Sequence, residues 1–253
     1  MPNKPNKLKI LKVRDKTDKN VIKMDKLFDV NFRLLLVSRS GGGKSNYLTN
    51  ILLNSNLPYK NIFEGENIYI FAPNVMADEK LKTIVEEKDI PEGNLLDDIS
   101  NDTLSVLYEE LIERFHEANA EGEKPDHSLI IIDDFGFSGQ FSNQNRFGMI
   151  QKLFCNSRKF GVSIILLIQQ YSQASNTIRS NATGMVIFNQ SNAELELIEK
   201  ENNYLTTKKQ FLRMFRDKVR EKHDALVINY SNGYELMYMS RDFEEIDYLK
   251  YDQ

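Results

Sequence analysis

Residues 32–45 read Phe-Arg-Leu-Leu-Leu-Val-Ser-Arg-Ser-Gly-Gly-Gly-Lys-Ser, an apolar run that ends in three glycines and the pair Lys44-Ser45. Apolar side chains recur at helical spacing in the segment that follows, 46–53. A strand, a glycine loop and a helix in this order are the setting in which Gly-Lys-Ser binds a phosphate group. Glycines let backbone N–H groups surround the anion, and the helix directs its positive end towards it. The alternative is a flexible glycine-rich turn followed by a chance Lys-Ser pair.

Ser38 departs from the full phosphate-loop pattern, G-x-x-x-x-G-K-[ST], which places a glycine five residues before Gly43. The three glycines at 41–43 retain the part of the loop that surrounds a β-phosphate, so we interpret the segment as a relaxed P-loop. In such a loop Lys44 reaches the β- and γ-phosphates of a nucleotide, and the Ser45 hydroxyl binds Mg²⁺. The serine therefore affects the expected geometry of the loop more than its identification as a phosphate-binding loop.

The composition is that of a folded domain, since 41% of the 253 residues are hydrophobic and 28% are charged. The chain has no apolar run long enough for a membrane span and begins without an apolar secretory signal, so we expect neither insertion nor secretion. A net charge of −4 argues against a DNA-binding protein with an overall basic surface. Nucleic-acid contact must then be local or arise from assembly into a ring. The single cysteine, Cys155, excludes an internal disulfide, fits a reducing compartment and is expected to be buried.

The distribution of charge predicts two regions. Residues 1–26 carry lysine at positions 4, 7, 9, 12, 16, 19, 23 and 26 with only scattered apolar residues, which predicts a basic N-terminal arm. Such an arm can contact phosphates or a neighbouring subunit, or it can be a solvated tail. Residues 27–253 have the length and apolar content of a single domain.

Short apolar strands alternate with amphipathic segments along this domain. After the first strand, further strands are predicted over 68–72, 129–132, 162–168 and 185–188. Helices are predicted over 76–88, 104–120, 146–159, 193–203 and 207–221, with Asp102 or Thr103 as a possible cap of the second. The alternation predicts an α/β fold with a mainly parallel central sheet flanked by helices. Two last strands, 225–229 and 234–238, flank Asn232-Gly233 and predict a C-terminal β-hairpin.

Two acids, Asp133 and Asp134, directly follow the apolar strand at 129–132. A phosphate loop at the end of one strand requires a carboxylate at the end of a neighbouring strand to position Mg²⁺, and Asp133 supplies it. Asp134 can then polarise the water that attacks the γ-phosphate. Acids at the end of a buried strand are costly unless a cation or solvent meets them. The alternative is a strand end that emerges into solvent with two ordinary surface acids.

A strand at 68–72 separates the glycine loop from the acids in the sequence. This arrangement resembles P-loop ATPases that have an inserted strand and an acid beside the magnesium-binding aspartate, a division made up largely of motors. In that division the next strand typically ends in a polar residue that senses the γ-phosphate. The strand at 162–168 ends in Gln169, whose amide can orient a water molecule. Alternatively, Gln169 and Gln170 merely begin a loop.

The order of four motifs extends this resemblance. The motifs are SRSGGGKS at 38–45, LIIIDD at 129–134, NSRKFGVSIILLIQQY at 156–171 and IRSNATGMVIF at 178–188. Over about residues 30 to 190 the chain resembles the genome-packaging ATPases of large and mid-sized DNA viruses. These are the poxvirus-type packaging ATPases, with relatives in virophages and Polinton-like elements, and they belong to the FtsK–HerA superfamily of DNA pumps.

The resemblance implies that residues 27–253 form one P-loop ATPase domain of RecA-like fold with ATP and Mg²⁺ as cofactors. Asp134 would be the catalytic acid and Gln169 the sensor, while Ser45 and Asp133 would bind the metal. An arginine directed at a neighbouring subunit's nucleotide is matched by Arg158, with Arg179 as the second candidate. The ATP-binding residues implied are Ser40, Gly41, Gly42, Gly43, Lys44, Ser45 and Asn46.

The activity implied is ATP-driven packaging of double-stranded DNA into a capsid by a homo-oligomeric ring, a pentamer or a hexamer. A capsid or portal protein is the expected partner, and the virion, the host cytoplasm or a viral factory is the expected location. Two alternatives remain: another FtsK/HerA-like DNA-transfer or phage-assembly ATPase, and an ATP-binding switch or scaffold with low turnover. A further hypothesis places the polar loop 135–146, including Asn145 and Arg146, at a central pore in contact with DNA. Its three phenylalanines could instead anchor it to the core.

Overall fold

In the computed structural model of the chain, residues 20–135, 141 and 148–251 are described. They form a single eight-stranded sheet with helices on both faces. The strands are β1 Arg33–Val37, β2 Ile68–Phe71, β3 Leu95–Leu96, β4 Ser128–Ile132, β5 Val162–Ile168, β6 Gly184–Ile187, β7 Leu226–Asn229 and β8 Tyr238–Ser240. The helices are α1 Lys44–Leu53, α2 Glu79–Lys88, α3 Asn101–Glu121, α4 Met149–Asn156, α5 Asn176–Asn181, α6 Asn192–Asn202 and α7 Lys208–Lys218.

The strand order is β3-β2-β4-β5-β1-β6-β7-β8. The first six strands in this order pair in parallel, and β7 and β8 join antiparallel at one side. The predicted α/β fold with a mainly parallel sheet is therefore confirmed. The prediction that the loop-bearing strand and the acid-bearing strand are neighbours is wrong, because β5 lies between β1 and β4. This places the end of β5 between the two motifs.

Alternation along the central strands builds a core on each face of the sheet. In β1, Leu35 and Val37 belong to one buried cluster, whereas Leu34 and Leu36 belong to the other. All seven residues of β5 are buried, as expected of a parallel strand covered by helices on both faces. The apolar runs in the sequence are uninterrupted for this reason.

Several predicted elements differ in detail. The hairpin exists, but its second strand begins at Tyr238, because Tyr234–Leu236 forms a 3-10 turn inside a longer connection. Ser100, rather than Asp102 or Thr103, caps α3 by accepting a hydrogen bond from the Thr103 N–H at 3.2 Å. Helix α5 lies between the predicted strands at 162–168 and 185–188, where the sequence analysis predicts no helix. Cys155 is exposed instead of buried.

The structure leaves part of two predicted regions undescribed. Residues 1–19 of the predicted basic arm lie outside the described residues, and so do 136–140 and 142–147 of the proposed pore loop with Asn145 and Arg146. Phe135 and Phe141, two of the three phenylalanines of that loop, are buried in the core. In the portion of the chain that is described, no helix combines the length and apolarity that crossing a membrane requires.

Candidate active site

The carboxyl ends of β1, β5 and β4 bring three predicted motifs to one edge of the sheet. The Ser38 N–H donates to the Ile168 carbonyl at 3.1 Å, which extends the β1–β5 ladder into the glycine loop. On the other side of β5, the Asp133 N–H donates to the Phe71 carbonyl at 2.9 Å and extends the β4–β2 ladder. The loop, the acids and Gln169 therefore leave the sheet at adjacent points.

The glycine loop explains how Ser38 is accommodated at a position where the full pattern has glycine. Gly41 and Gly43 have φ of +71° and +119°, whereas Ser38 has no positive φ and so needs no glycine there. The Ser38 side chain is buried beside Gly42, and a Cβ on Gly42 would overlap the Ser38 hydroxyl. The second glycine of the triplet therefore gives room to the serine.

Lys44 begins α1 and carries its ammonium back over the loop. Its Nζ donates a hydrogen bond to the Ser38 carbonyl at 2.7 Å. Burial lowers the pKa of Lys44 below its usual value, and the carboxylates of Asp133 and Asp134 oppose that shift. The ammonium thus lies between the loop and the acids, where an anionic ligand would meet it.

The two acids differ in environment. Burial raises the pKa of Asp133 to about 6, with further increases from the Asp134 and Asp78 carboxylates and opposition from the Lys44 ammonium. Asp134 is exposed and has φ of +57°, a left-handed conformation that Asp tolerates better than most residues. The Gln169 amide Nε2 lies 3.4 Å from Asp134 Oδ1 and donates to it. A desolvated carboxylate next to an exposed one suits a division between cation binding and water activation.

A cavity of about 460 Å³, called here the phosphate cavity, unites these groups. It is lined by all of the predicted ATP-binding residues together with Asp133, Asp134 and Gln169. Three further lining residues were missed by sequence reasoning, namely Asp78, Lys80 and His223. Asp78 and Lys80 follow β2. Ligands bind at the carboxyl ends of parallel strands, so the predicted parallel sheet could have pointed to the residues that follow this strand. His223 precedes the antiparallel strand β7, and no pattern in the sequence points to it.

The donor set of the phosphate cavity fits Mg²⁺ bound together with phosphate. The Ser45 hydroxyl and the Asp133 carboxylate both line the cavity and are oxygen donors. Within the described residues no group of three or more His, Cys, Asp or Glu side chains could hold a metal alone. Mg²⁺ in nucleotide sites is usually held by one or two carboxylates plus the substrate phosphates. The arrangement therefore suits a metal that arrives with a nucleotide.

The two candidate arginines lie away from this cavity. Arg158 is on the turn that precedes β5, and β5 spans roughly 20 Å from that end to Gln169. The Arg179 guanidinium binds both carboxylate oxygens of Glu201 at 2.8 Å and lies 5.1 Å from the centre of the Tyr171 ring. Its side chain is only 8% exposed. Neither arginine lines the phosphate cavity of its own chain.

A second depression, called here the α1 groove, adjoins the phosphate cavity and has a volume of about 470 Å³. Tyr47 of α1 lies in its wall, 6.0 Å from Phe188 in an edge-to-face contact, and donates its hydroxyl to the Arg241 carbonyl at 2.9 Å. Asp242 and Phe243, which follow β8, complete this wall. The groove thus offers aromatic faces and polar groups immediately beside Gly43.

Replacing Asp133 by Asn is expected to stabilise the protein when no nucleotide or metal is present. The raised pKa means that ionising Asp133 costs folding free energy, and this cost grows as pH rises from about 4 to about 6. Above pH 6 the Asp133→Asn variant should be more stable than wild type by roughly 1–3 kcal/mol, and near pH 4 the difference should vanish. Urea unfolding with EDTA at pH 4.5 and 7.5 measures this. A variant less stable than wild type at pH 7.5 would contradict the assignment of Asp133 as a carboxylate whose ionisation is disfavoured by desolvation.

Comparison with known families adds evidence independent of this geometry. A family model described as Poxvirus A32 protein matches residues 19–246, which include every predicted site residue. A comparison with curated proteins finds no match.

Solved structures share the fold at low identity. The chain is similar to the genome packaging NTPase B204 from Sulfolobus turreted icosahedral virus 2 in complex with ATP-gammaS, with 16% identity, coverage of 83% of this chain and 96% of that chain, and a TM-score of 0.53. The DNA-packaging ATPase B204 from Sulfolobus turreted icosahedral virus is 16% identical. The match covers 80% of this chain and 94% of that chain, with a TM-score of 0.53. EssC (ATPases 2 and 3) from Geobacillus thermodenitrificans is 13% identical. The match covers 79% of this chain and 38% of that chain, with a TM-score of 0.54. These matches confirm the predicted P-loop NTPase fold.

Proposed function

The chain belongs to the Poxvirus A32 protein family, and from this premise we propose that it is an ATP-driven translocase that packages double-stranded DNA into a viral capsid. One observation carries the proposal. The glycine loop, Lys44, the paired acids and Gln169 come from three strands yet line one cavity. That set contains the parts needed for phosphoryl transfer to water: an anion cradle, a metal-binding carboxylate, a general base and a group that orients the attacking water.

Within this proposal ATP spans the two adjoining depressions. The triphosphate lies in the phosphate cavity against the N–H groups of residues 40–46, with Lys44 reaching the β- and γ-phosphates. Ser45 and Asp133 would hold Mg²⁺, and the ion would neutralise charge on the phosphates. Asp134 accepts a proton from the attacking water, and Gln169 orients that water. The nucleoside lies in the α1 groove beside Tyr47, because the groove opens directly from Gly43.

The positions of the arginines support hydrolysis between subunits of a ring. Arg158 lies at the end of β5 opposite its own phosphate cavity, so it can complete a site only on a neighbouring molecule. Arg179 is engaged within its own chain by Glu201 and Tyr171. We therefore favour Arg158 as the residue that stabilises charge on a neighbour's γ-phosphate. A pentamer or a hexamer would place one such arginine at each interface.

Replacing Arg158 by Ala is expected to lower ATP hydrolysis by roughly 10³-fold with little change in ATP affinity, because its charge acts on the transition state. Replacing Arg179 by Ala should instead lower the free energy of unfolding by about 1–3 kcal/mol, since Glu201 loses a buried bidentate partner. Phosphate release and urea unfolding measure the two effects. The opposite pattern would move the role to Arg179.

Mixing of inactive variants tests whether the arginine acts between subunits. Rings of Arg158→Ala alone lack the arginine, and rings of Lys44→Ala alone lack the phosphate loop lysine. In mixed rings, an Arg158→Ala subunit with an intact phosphate cavity can receive Arg158 from a Lys44→Ala neighbour. We expect mixing to restore hydrolysis, and mixtures as inactive as their components would contradict action across an interface.

The proposed substrates and partners follow from the family rather than from a basic surface. With a net charge of −4, the chain has no overall positive charge to attract DNA, so contact must be local, in the pore of the ring. The segment 135–146, next to the catalytic acids, remains our hypothesis for that contact. A capsid or portal protein would receive the motor, in the virion or at the site of virus assembly in the host cell.

A triplex-displacement assay tests translocation directly. A fluorescent third strand bound at one end of linear double-stranded DNA is released when a motor arrives by moving along the duplex. We expect ATP-dependent release that ceases with AMPPCP, together with phosphate release that is stimulated by double-stranded DNA. Hydrolysis with stimulation but no release would favour another kind of DNA-transfer ATPase. ATP binding without measurable turnover would favour a switch or scaffold.

A further inference from the structure

His223 reaches the glycine loop from a distant part of the chain. It lies between α7 and β7, 181 residues after Gly42 in the sequence, and its ring borders both the phosphate cavity and the α1 groove. A third cavity of about 340 Å³, along the segment Ser38 to Gly42, also has His223 in its wall. The ring is therefore the common boundary of the three spaces that surround the loop.

The contact between His223 and the loop is polar and close. Its Nδ1 lies 3.2 Å from the Gly42 carbonyl oxygen. A carbonyl oxygen can only accept, so Nδ1 carries the proton in this contact. The fit is tight, since a Cβ on Gly43 would lie 3.0 Å from His223 Nδ1 and 3.1 Å from Phe188 Cε1. Gly43 thus combines a positive φ with the close approach of two rings.

The backbone of His223 is itself strained. It has φ of +77°, in the left-handed region that is uncommon for residues other than Gly, although Asn, Asp and His adopt it more often than the rest. Such a conformation persists where its surroundings impose it, and it accompanies functional sites often enough to suggest a role.

We propose that His223 is a positioning residue for the nucleotide: by donating its Nδ1–H to the Gly42 carbonyl, it orients the Gly42–Gly43 peptide so that the Gly43 N–H faces the phosphate cavity. In a planar trans peptide the C=O and the N–H point in opposite directions. Holding the Gly42 oxygen towards His223 therefore fixes the Gly43 N–H on the opposite side of the peptide, and an anion cradle requires N–H groups whose directions are fixed.

The chemistry of the loop makes such a contact useful. Three consecutive glycines give residues 41–43 wide conformational freedom, and ordering them on binding costs entropy. A hydrogen bond from outside the loop orders one peptide in advance and so lowers the cost of binding a phosphate. The inference rests on the proposed nucleotide site, but it concerns binding alone and not DNA movement.

Three substitutions at one position separate the hydrogen bond from the space and the strain. His223→Asn keeps an N–H near the position of Nδ1 and tolerates positive φ. His223→Gly removes the donor and relieves the strain, and His223→Ala removes the donor and keeps the strain. Lys222→Ala is the matched control, because Lys222 is an exposed neighbour that does not line the phosphate cavity.

The measurements are the Kd of the full chain for Mg-ADP and Mg-ATP by titration calorimetry without DNA, and the melting temperature without nucleotide. We expect a roughly 3–10-fold weaker Kd for His223→Gly and His223→Ala, and values within about 2-fold of wild type for His223→Asn and Lys222→Ala. In steady-state hydrolysis, KM should rise in the first two variants while kcat changes little.

Three outcomes would overturn the inference: unchanged affinity in His223→Gly, equally weak binding in His223→Asn and His223→Gly, or a lowered melting temperature as the sole effect. Each is distinct from failure of the proposed function, in which wild type binds nucleotide but shows no DNA-stimulated turnover. Wild type that binds neither nucleotide would overturn both.

Discussion

Replacing Lys44 by Ala is expected to abolish useful nucleotide binding, with affinity for Mg-ATP at least about 100-fold lower and hydrolysis at least about 10³-fold lower than wild type. The ammonium is the cation held between the glycine loop and the two acids, and its 2.7 Å hydrogen bond to the Ser38 carbonyl also ties α1 to the start of the loop. The substitution therefore removes a charge contact to the phosphates and a support of the loop. Titration calorimetry and phosphate release measure the two losses.

Two other lysines serve as controls for Lys44. Lys80 lines the mouth of the phosphate cavity but is exposed, so Lys80→Ala should weaken binding by less than about 10-fold. Lys82 lies on the same helix outside the cavity and pairs with Glu86 at 3.9 Å, and its replacement by Ala should leave binding unchanged. If Lys44→Ala bound ATP as Lys82→Ala does, the loop would not be the phosphate site.

Replacing Asp134 by Asn is expected to lower hydrolysis by roughly 10³-fold while ATP affinity stays within about 3-fold of wild type. The amide keeps the size of the carboxylate but cannot take a proton from water. Because Asp134 is exposed, the substitution should leave the core intact. Single-turnover hydrolysis together with calorimetry separates the chemical step from binding.

Substitutions of Gln169 and Asp133 serve as comparisons for Asp134→Asn. Gln169→Ala removes the amide that lies 3.4 Å from Asp134 and should slow hydrolysis by about 10–100-fold, a smaller loss than that of the base. Asp133→Asn should impair binding of the metal-nucleotide complex as well as hydrolysis. If Asp134→Asn hydrolysed ATP at the wild-type rate, or lost ATP affinity as Asp133→Asn is expected to do, the two acids would not have the separate roles assigned to them.

Sequence reasoning succeeded where local patterns carry the information. The strand over 162–168 has the predicted bounds, because an apolar run buried on both faces ends where polar Gln169 begins. The order of motifs predicted a poxvirus-type ATPase, and the family match over 19–246 confirms that resemblance and the assignment as an ATPase. The cavity brings together the predicted loop residues, the acids and Gln169.

What could not be predicted depends on the order of strands and on contacts between distant residues. Adjacent motifs in a sequence do not reveal that β5 separates β1 from β4, since parallel strands can be ordered in several ways. That Gly42 leaves room for the Ser38 side chain is visible only when the two residues are seen in contact. His223 precedes the antiparallel strand β7 and contacts Gly42, which is 181 residues away in the sequence. The Arg179–Glu201 pair joins α5 and α6. None of these leaves a periodic signal in the sequence.

We propose that a metal-bound triphosphate lies between the glycine loop and the aspartates. Diffraction from crystals grown with Mn²⁺ and AMPPCP, with anomalous differences recorded at the manganese edge, tests it most directly. We expect one manganese peak between the Ser45 hydroxyl and the Asp133 carboxylate, with the β- and γ-phosphates surrounded by residues 40–46. A peak remote from Asp133, or phosphates bound outside the loop, would contradict it.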